Sequence, residues 1–409
     1  MEFREFILAH DSDDLGVLAL ARDRYGFEDF DLALTTLECR RKLRDKVPQW
    51  YAVPSLRFPF RLSAEQCSST ETALYKASLV SGRVADLTGG LGVDSWAFSQ
   101  VASEVLYNEM HPLLADAARH NFQELGVKNI VVRNCELVPG NLSSVLDGFE
   151  PSVIFLDPAR RSSDGRKVFR LEDCQPNVLA LLPELFAAAP FVLLKLSPMA
   201  DITLVCKQLG SVKSVHVVAA GGECKELLLM LERGFEGEYS VFVYESGALL
   251  IVNSGPGLKT EQGPSPQKVH YDSFEGMFSG LGPRDENRPG PKLLFEPGKG
   301  LLKAGAFDLP CEYGLEKLGK HTHLYVGESV PDELRPFGKC FEIVEVQPLN
   351  NKTIKELGAR YPQAEVTARN VPLTSDELRR KLGCRSGGQV HIFGVHIDAV
   401  GGNFLVVAK

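Results

Sequence analysis

A chain of 409 residues is long enough for two to four domains at about 150 residues per domain. Its hydrophobic fraction of 44% and charged fraction of 24% are those of an ordinary soluble globular protein. The formal net charge of −8 excludes whole-chain charge as an argument for nucleic-acid binding, although residues 351–409 carry a local excess of basic side chains.

The cysteines and the N-terminus indicate a reducing, intracellular environment. The nine cysteines are odd in number and form no C-x-x-C pair, which argues against a disulfide scaffold and against a zinc site. The start MEFREFILAHDSDD lacks a signal-peptide pattern. No apolar run reaches the ~18–20 residues that span a bilayer. We expect a cytoplasmic protein with neither a metal nor a membrane partner.

Residues 1–80 are predicted to form an N-terminal helical region, because apolar residues recur there at helical spacing. A connector rich in proline and aromatic residues, KVPQWYAVPSLRFPFRLS, interrupts the pattern. The segment SAEQCSSTETALYKASLV then predicts one helix, with Ser63 as its N-cap.

Residues 81–235 predict an α/β domain with a seven-stranded sheet. The predicted strands are Val84–Leu87, Val105–Glu109, Ile130–Arg133, Val153–Leu156, Phe191–Leu196, Val212–Ala219 and Leu227–Leu231. Helical segments separate the first five strands, which indicates a parallel sheet covered on both faces. Only AAGGECKE separates the last two, so these form an antiparallel pair.

The C-terminal part predicts smaller α+β units. Residues 236–335 combine loops rich in glycine and proline with one compact mixed unit. Residues 336–409 contain the strand FEIVEVQP, the helices KTIKELGARY and SDELRRKLG, and a final strand pair.

Acidic residues follow four successive strands of the predicted sheet. Asp86 and the glycines of DLTGGLGVD follow the first, Glu109 ends the second, Glu136 follows the third, and Asp157 ends the fourth. Ligands of open α/β sheets bind at the carboxyl ends of the strands, and a carboxylate after the second strand can accept both hydroxyls of a ribose. The pattern therefore predicts a site for a nucleoside-like ligand.

The glycine-rich turn is a poor match to a dinucleotide fingerprint, which requires G-x-G-x-x-G and a pyrophosphate at the helix start. Ser95 stands where the third glycine is expected, and Asp94 places a negative charge at the start of the helix. An acid there disfavours phosphate and suits a cationic or amino-acid ligand. This favours S-adenosylmethionine over a nicotinamide dinucleotide.

The stretches DLTGGLGVD and LDPARR, together with Glu109, resemble the class I S-adenosylmethionine-dependent methyltransferases. The resemblance implies a Rossmann-like sheet of strand order 3-2-1-4-5-7-6 with its last pair antiparallel. More closely, stretches such as LSAEQCSSTETALYKA, LLKLSPMADI, GGECKELLL and TSDELRRKLG resemble a bacterial methyltransferase family with a C-terminal THUMP-like domain. On this view residues 236–335 are a linker plus a small ferredoxin-like unit, and residues 336–409 are the THUMP-like domain.

The resemblance also implies roles for single residues. The amino-acid part of the cofactor is expected to contact Asp86, Gly89, Gly90 and Gly92, and Thr88 and Asp94 are expected to bind the cofactor as well. Glu109 is expected to hold the ribose and Glu136 to reach the adenine edge. The helix around Gln66 to Tyr75 would close over the methionine end. Asp157 and Pro158 would face the methyl group and its acceptor as the catalytic pair.

The acceptor side departs from the better-known base methyltransferases, which have Asp/Asn-Pro-Pro followed by an aromatic residue. Here Asp157 and Pro158 are followed by Ala159 and Arg160. Base methylation stays open on this motif. The absence of a Pro-Cys pair near the fourth strand disfavours a cytosine-C5 mechanism.

Basic residues next to Asp157 suggest an anionic substrate. Arg160 and Arg161 belong to the basic run DPARRSSDGRKVFR, which would attract phosphates at the mouth of the site. Lys195 would either line the same mouth or extend to the surface. We predict an RNA substrate bound with the help of the C-terminal units. A non-catalytic nucleic-acid-binding protein, or a methyltransferase for a small molecule or protein, are the alternatives, and no oligomeric state is predicted.

Overall fold

The computed structural model describes residues 2–160, 171–253 and 293–409. Contacts between residues divide the chain into two units, Met1–His216 with Glu226–Ser240, and Val217–Lys225 with Val241–Lys409. In the described ranges no helix combines the length and apolar character needed to cross a bilayer. The predicted division into four regions stays a prediction.

Six helices are described in the N-terminal region, as predicted from its periodicity. They are α1 (Phe3–His10), α2 (Leu15–Leu20), α3 (Phe30–Lys46), α4 (Pro48–Tyr51), α5 (Arg61–Gln66) and α6 (Thr70–Ser78). Phe6, Leu18, Phe30 and Leu37 belong to the core that α1, α2 and α3 share.

The prediction of one helix beginning at Ser63 is wrong. Ser63 lies inside α5, and the chain becomes extended at Cys67. Ser69 is the true N-cap of α6, because its hydroxyl accepts a hydrogen bond from the Thr72 N–H at 3.2 Å. The break leaves Ser68 between two helices, where it takes part in the site described below.

The central sheet contains the seven predicted strands and two more. Its strands are β1 (Arg83–Asp86), β2 (Glu104–Asn108), β3 (Ile130–Arg133), β4 (Val153–Leu156), β7 (Phe191–Leu196), β8 (Val212–Ala220), β9 (Glu223–Glu232), β10 (Ser240–Glu245) and β11 (Ala248–Asn253). The short strands β5 (Ala159–Arg160) and β6 (Cys174–Gln175) pair separately. The helices between them are α7 (Val93–Phe98), α8 (Pro112–Glu124), α9 (Leu142–Leu146), α10 (Val178–Ala188) and α11 (Ile202–Leu209).

The strand order of this sheet is β11-β10-β8-β9-β7-β4-β1-β2-β3. The seven predicted strands therefore lie in the order 3-2-1-4-5-7-6, which is the order that the resemblance implies. Strands β1, β2, β3, β4 and β7 pair in parallel, and β9 pairs antiparallel to β7. The sheet is larger than predicted, because the apolar hairpin of β10 and β11 extends it instead of belonging to a linker.

A second sheet is formed by residues 293–408. Its strands are β12 (Leu293–Pro297), β13 (Glu316–Lys317), β14 (Tyr325–Gly327), β15 (Gly338–Pro348), β16 (Glu365–Arg369), β17 (His391–Ile397) and β18 (Gly402–Ala408). Its helices are α12 (Lys299–Lys303), α13 (Leu309–Glu312), α14 (Asn351–Arg360) and α15 (Ser375–Leu382). The strand order is β13-β14-β12-β15-β18-β17-β16, so the two predicted small units share one sheet through the pairing of β12 with β15.

Candidate active site

The carboxyl ends of β1, β2, β3 and β4 meet at one edge of the central sheet. Asp86 at the end of β1 is in register with Tyr107 of β2 and with Phe155 of β4. Parallel strands in register place the segments that follow them side by side. The segments that carry Asp86, Glu109, Glu136 and Asp157 therefore lie at this common edge.

The glycine-rich segment is held by its own hydrogen bonds. The Gly89 N–H donates to the Asn108 carbonyl at 2.8 Å, and the Gly92 N–H donates to the Gly89 carbonyl at 2.9 Å. The Gly90 N–H donates to Glu109 Oε2 at 2.8 Å. Because these three N–H groups already have protein acceptors, the segment is not a cradle for a pyrophosphate.

The ring of Tyr107 occupies the space next to Gly89 where a side chain would otherwise lie. A Cβ at this position would lie 2.1 Å from Cε2 of Tyr107, so any larger residue would collide with the Tyr107 ring. The Tyr107 hydroxyl in turn donates to the Gly90 carbonyl at 2.6 Å. The glycine is thus required by the fit between β1 and β2, a reason that the sequence pattern did not indicate.

Glu109 is buried and rigidly oriented. Its Oε2 accepts the Gly90 N–H, and its Oε1 accepts the His111 N–H at 2.8 Å. Each carboxylate oxygen has a second lone pair, so the group can still accept two hydroxyls of a diol. The geometry fits the predicted contact with a ribose.

The segment after β3 is tied to the segment after β2. Asn134 Nδ2 donates to the Glu109 carbonyl at 2.6 Å, and Asn108 Nδ2 donates to the Cys135 carbonyl at 2.9 Å. The next residue, Glu136, is exposed. Its predicted contact with the adenine edge stays a prediction.

Asp86 is almost completely buried, with 1% of its surface exposed. Its Oδ1 accepts the Thr88 N–H at 3.1 Å and its Oδ2 accepts the Ser95 hydroxyl at 2.6 Å. Burial raises the pKa of Asp86 to about 7, against the opposing effect of the hydrogen bond from Ser95. Asp86 therefore links the end of β1 to helix α7 through Ser95 and to the start of the glycine segment through Thr88.

Asp157 connects the site to β7. Its N–H donates to the Thr88 hydroxyl oxygen at 2.6 Å, and its carboxylate accepts a hydrogen bond from Lys195 Nζ. Lys195 thus lies beside the predicted catalytic acid instead of extending to the surface. Pro158 is buried, the backbone of Arg160 lies in β5, and Arg161 lies outside the described residues.

An ion cluster, buried except at Asp157, joins these residues, and we define it as Lys76, Asp94, Asp157, Lys195 and Glu226. Lys76 Nζ donates to Glu226 Oε1 at 2.6 Å and lies 3.3 Å from Asp94 Oδ1. Glu226 Oε2 lies 3.8 Å from Lys195 Nζ. The cluster therefore runs without a break from helix α7 to Asp157.

Ser68 is hydrogen-bonded to two members of the ion cluster, Lys76 and Asp94. Its hydroxyl oxygen accepts from Lys76 Nζ at 2.9 Å, and the hydroxyl donates to Asp94 Oδ2 at 2.9 Å. Asp94, predicted to place a negative charge at the start of the helix, is paired with Lys76. Burial alone would lower the pKa of Lys195, but the charges of Asp157, Glu226 and Asp94 outweigh burial and raise it. Lys195 consequently remains an ammonium ion.

Lys76 and Glu226 were not predicted as site residues. Lys76 lies within a helix and Glu226 within a strand, 150 residues later, so no local spacing joins them. The hint in the sequence is a charged residue next to the apolar run LLLML of β9. Within residues 2–160, 171–253 and 293–409, no group of three His, Cys, Asp or Glu side chains could hold a metal ion.

Comparisons with known proteins find similarity in the C-terminal domains and over most of the chain. Family models match a ferredoxin-like domain at residues 293–334 and a THUMP domain-like region at residues 338–408. An uncharacterized S-adenosylmethionine-dependent methyltransferase of Mycobacterium tuberculosis, from two strains, is 25% identical over 339 residues, 82% of this chain and 83% of that protein.

A solved structure extends the likeness to the whole chain. It comes from Porphyromonas gingivalis and is described as a candidate methyltransferase. It is 28% identical, has a TM-score of 0.79, and the match covers 100% of this chain and 97% of that one. These likenesses confirm the predicted cofactor, S-adenosylmethionine, and the predicted fold class.

Proposed function

We propose that this chain, a class I S-adenosylmethionine-dependent methyltransferase with a THUMP-like C-terminal domain, methylates a base of RNA. The observation that carries the substrate proposal is the THUMP domain-like match over residues 338–408. Modules of this kind are associated with RNA recognition, and an RNA-binding module has no evident use in an enzyme for small metabolites. Methyl transfer itself belongs to the family and needs no separate proposal.

The residues at the sheet edge fit the cofactor. Glu109 is oriented to accept the two ribose hydroxyls, and Asn134 fixes the neighbouring backbone that leads to Glu136. The glycine segment fits a ligand without phosphate, because its N–H groups are already engaged. When bound, the cofactor supplies an electrophilic methyl group on a positively charged sulfur.

Asp157 is the proposed catalytic residue. Its side chain is 38% exposed, while its partner Lys195 is only 13% exposed, so within the ion cluster Asp157 is the member most open to an acceptor. One carboxylate oxygen is held by Lys195, and the other can accept an N–H of a base. Holding that N–H orients the acceptor nitrogen and provides a place for its proton.

The THUMP-like domain is proposed to hold the RNA backbone. Arg380 and Lys381 in the last turn of α15, and Arg385 after it, are exposed and basic. Such side chains contact phosphates and bind without reading sequence. The specificity for a given base would then come from the site around Asp157.

The experiment is a methyl-transfer assay on material from cells that lack this protein. Purified full-length chain and labelled S-adenosylmethionine are incubated separately with total RNA, total protein and the metabolite fraction. We expect label in RNA and a methylated nucleoside by mass spectrometry, with Asp157→Ala showing none. Cofactor affinity of this variant, measured by calorimetry with S-adenosylhomocysteine, should stay within about twofold of the wild type because Asp157 is assigned to the acceptor.

The remaining outcomes would decide against the proposal. Label confined to protein or metabolites would identify a different class of substrate. No label in any fraction, by a chain that binds the cofactor, would favour a non-catalytic binding protein. Equal turnover by Asp157→Ala would remove the role of Asp157 and leave the RNA assignment standing.

A second experiment tests the THUMP-like domain. Replacing Arg380, Lys381 and Arg385 by alanine should weaken binding to the same RNA and reduce the slope of log affinity against log salt by up to about three, one per lost phosphate contact. Arg119→Ala, on α8 of the first unit, serves as the matched control for loss of an exposed arginine. An unchanged salt slope would show that α15 does not contact RNA.

A further inference from the structure

The ion cluster contains three carboxylates and two ammonium groups, and hence one excess negative charge. We propose that this excess charge makes the site prefer the positively charged methyl donor over its neutral product, S-adenosylhomocysteine. The inference concerns how the site distinguishes donor from product. The preference for the donor requires that the chain binds S-adenosylmethionine, and it does not depend on whether RNA is the acceptor.

The contacts show that the cluster acts as one electrostatic unit. Lys76 lies between Asp94 and Glu226, and Lys195 lies between Glu226 and Asp157. Glu226 is the central member, since it alone approaches both ammonium groups. Removing its charge would therefore change the net charge of the cluster from −1 to zero while leaving one carboxylate beside each lysine.

Burial makes the excess charge energetically important. The side-chain exposure is 0% for Lys76, 6% for Glu226, 12% for Asp94 and 13% for Lys195, and only Asp157 in the cluster is more open, at 38%. Buried ions lose their hydration, and an uncompensated buried charge is costly. A buried cluster with a net negative charge is consequently stabilised by a cation that binds beside it.

The position of the cluster indicates which cation this is. Asp157 is hydrogen-bonded to Thr88 and Asp94 lies in the first turn of α7, so the cluster adjoins both sides of the glycine segment. The amino-acid part of the donor carries one positive and one negative charge, and these cancel. The sulfonium is thus the uncompensated charge of the donor, and it is absent from the product.

The charged groups next to the ion cluster do not make its net charge positive. Asp86 is influenced by Asp94 and Asp157 and adds further negative charge wherever it is ionised. Cys67, influenced by Asp94, Lys46 and Lys195, has its pKa raised by burial and remains neutral. Lys46 donates to backbone carbonyls of α5, at Ala64 and Glu65. The count refers to the residues that the structure describes.

The test compares the affinities of donor and product. Calorimetry with the full-length chain measures S-adenosylmethionine and S-adenosylhomocysteine binding in wild type, Glu226→Gln and Asp94→Asn. Both variants remove one negative charge from the cluster and keep the shape of the side chain. Glu232→Gln is the matched control, because Glu232 lies on the same strand β9 and forms its own ion pair with Lys213 at 2.8 Å.

We expect the ratio of donor to product affinity to fall about fivefold in Glu226→Gln and in Asp94→Asn, the effect of one charge several ångströms away at intermediate dielectric. Product affinity serves as the folding control. Lys76→Met, which makes the cluster more negative, should shift the ratio in the opposite direction. Glu232→Gln should leave it unchanged.

Two outcomes would overturn the proposal. If both ligands lose affinity equally in the charge-removing variants, these residues only support the shape of the site. If the ratio is unchanged in every variant, the cluster does not sense the sulfonium. Either result is independent of whether RNA is the acceptor, because no acceptor is present in the experiment.

Discussion

The edge of the central sheet and the sheet of residues 293–408 bury different kinds of side chain. At the first, Lys76, Asp86, Glu109 and Glu226 are all less than 9% exposed. Among the described residues 293–409, the buried polar side chains are Thr322 and Thr353, and no charged one is buried. There the interior is filled by apolar side chains such as Leu294, Phe393 and Val406.

The first region thus buries ionisable side chains, whereas the second region has an apolar interior. Buried charges reduce stability unless they are paired, so a fold that needs only to be stable avoids them. The second region follows that rule and keeps its ions at the surface, for example the pair of Lys352 with Glu356. The first sheet breaks the rule at the edge where the cofactor site is predicted.

The largest expected effect concerns the pH dependence of stability through Asp86. Its pKa rises from the usual 3.8 to about 7 on folding, so the folded state holds a proton that the unfolded state releases above about pH 4. The resulting stability is complete below pH 3.8 and is lost as the pH rises through about 7. Relative to the wild type, Asp86→Asn should gain up to about 4 kcal/mol in free energy of unfolding across that window.

Urea unfolding at several pH values measures this gain. Asp398→Asn, which removes an exposed acid in the second unit, is the control and should show no such trend. A flat difference between Asp86→Asn and the wild type would mean that Asp86 is ionised in the folded state and that the contrast between the two regions is weaker than described.

The next effect concerns the cofactor. Glu109→Gln should weaken S-adenosylhomocysteine binding by about two orders of magnitude, because two charge-assisted hydrogen bonds of ~1.5 kcal/mol each would be lost or reversed. Glu104→Gln is the matched control, since Glu104 lies at the other end of β2 in a surface pair with Arg83. Calorimetry measures both variants, and equal affinities would contradict the ribose role of Glu109.

The smallest effect concerns the second region. Helix propensity predicts that Gly358→Ala in α14 is stabilising by ~1 kcal/mol, but its Cβ would lie 1.9 Å from the Leu382 carbonyl oxygen. We therefore expect a loss of about 1–3 kcal/mol from overpacking. Thermal unfolding measures the loss, and cofactor affinity should not change. Stabilisation by alanine would show that α14 and α15 are less tightly packed than the structure indicates.

Much of the fold could be predicted from the sequence because its strands are short apolar runs between helices. The runs at Ile130–Arg133, Val153–Leu156 and Phe191–Leu196 coincide with the observed strands. The hairpin of β10 and β11 lies within residues 236–335, which the sequence does not assign to the central sheet. The position of this hairpin in the sheet depends on pairing between segments that are distant in sequence. The spacing of apolar residues gives no information on such pairing.

The candidate site was predictable where it follows strand ends and was missed where it depends on tertiary contacts. Glu109 and Asp157 could be proposed from the sequence because each directly follows a strand, β2 and β4 respectively. Lys76 and Glu226 were missed, because a lysine within a helix and a glutamate beside an apolar run are ordinary surface features until folding brings them together. The pairing of Asp94 with Lys76 could not be predicted for the same reason, since Lys76 belongs to another element.

The hydrogen bonds of the glycine segment have a consequence for its dynamics. The N–H groups of Gly89, Gly90 and Gly92 are bonded to acceptors within the protein, and the ring of Tyr107 fills the space that a side chain at Gly89 would need. Their amide hydrogens should therefore exchange slowly with solvent before the cofactor binds, and binding should slow them little further. Such a segment behaves as a preformed wall, so ligand-induced ordering is to be sought in other parts of the chain.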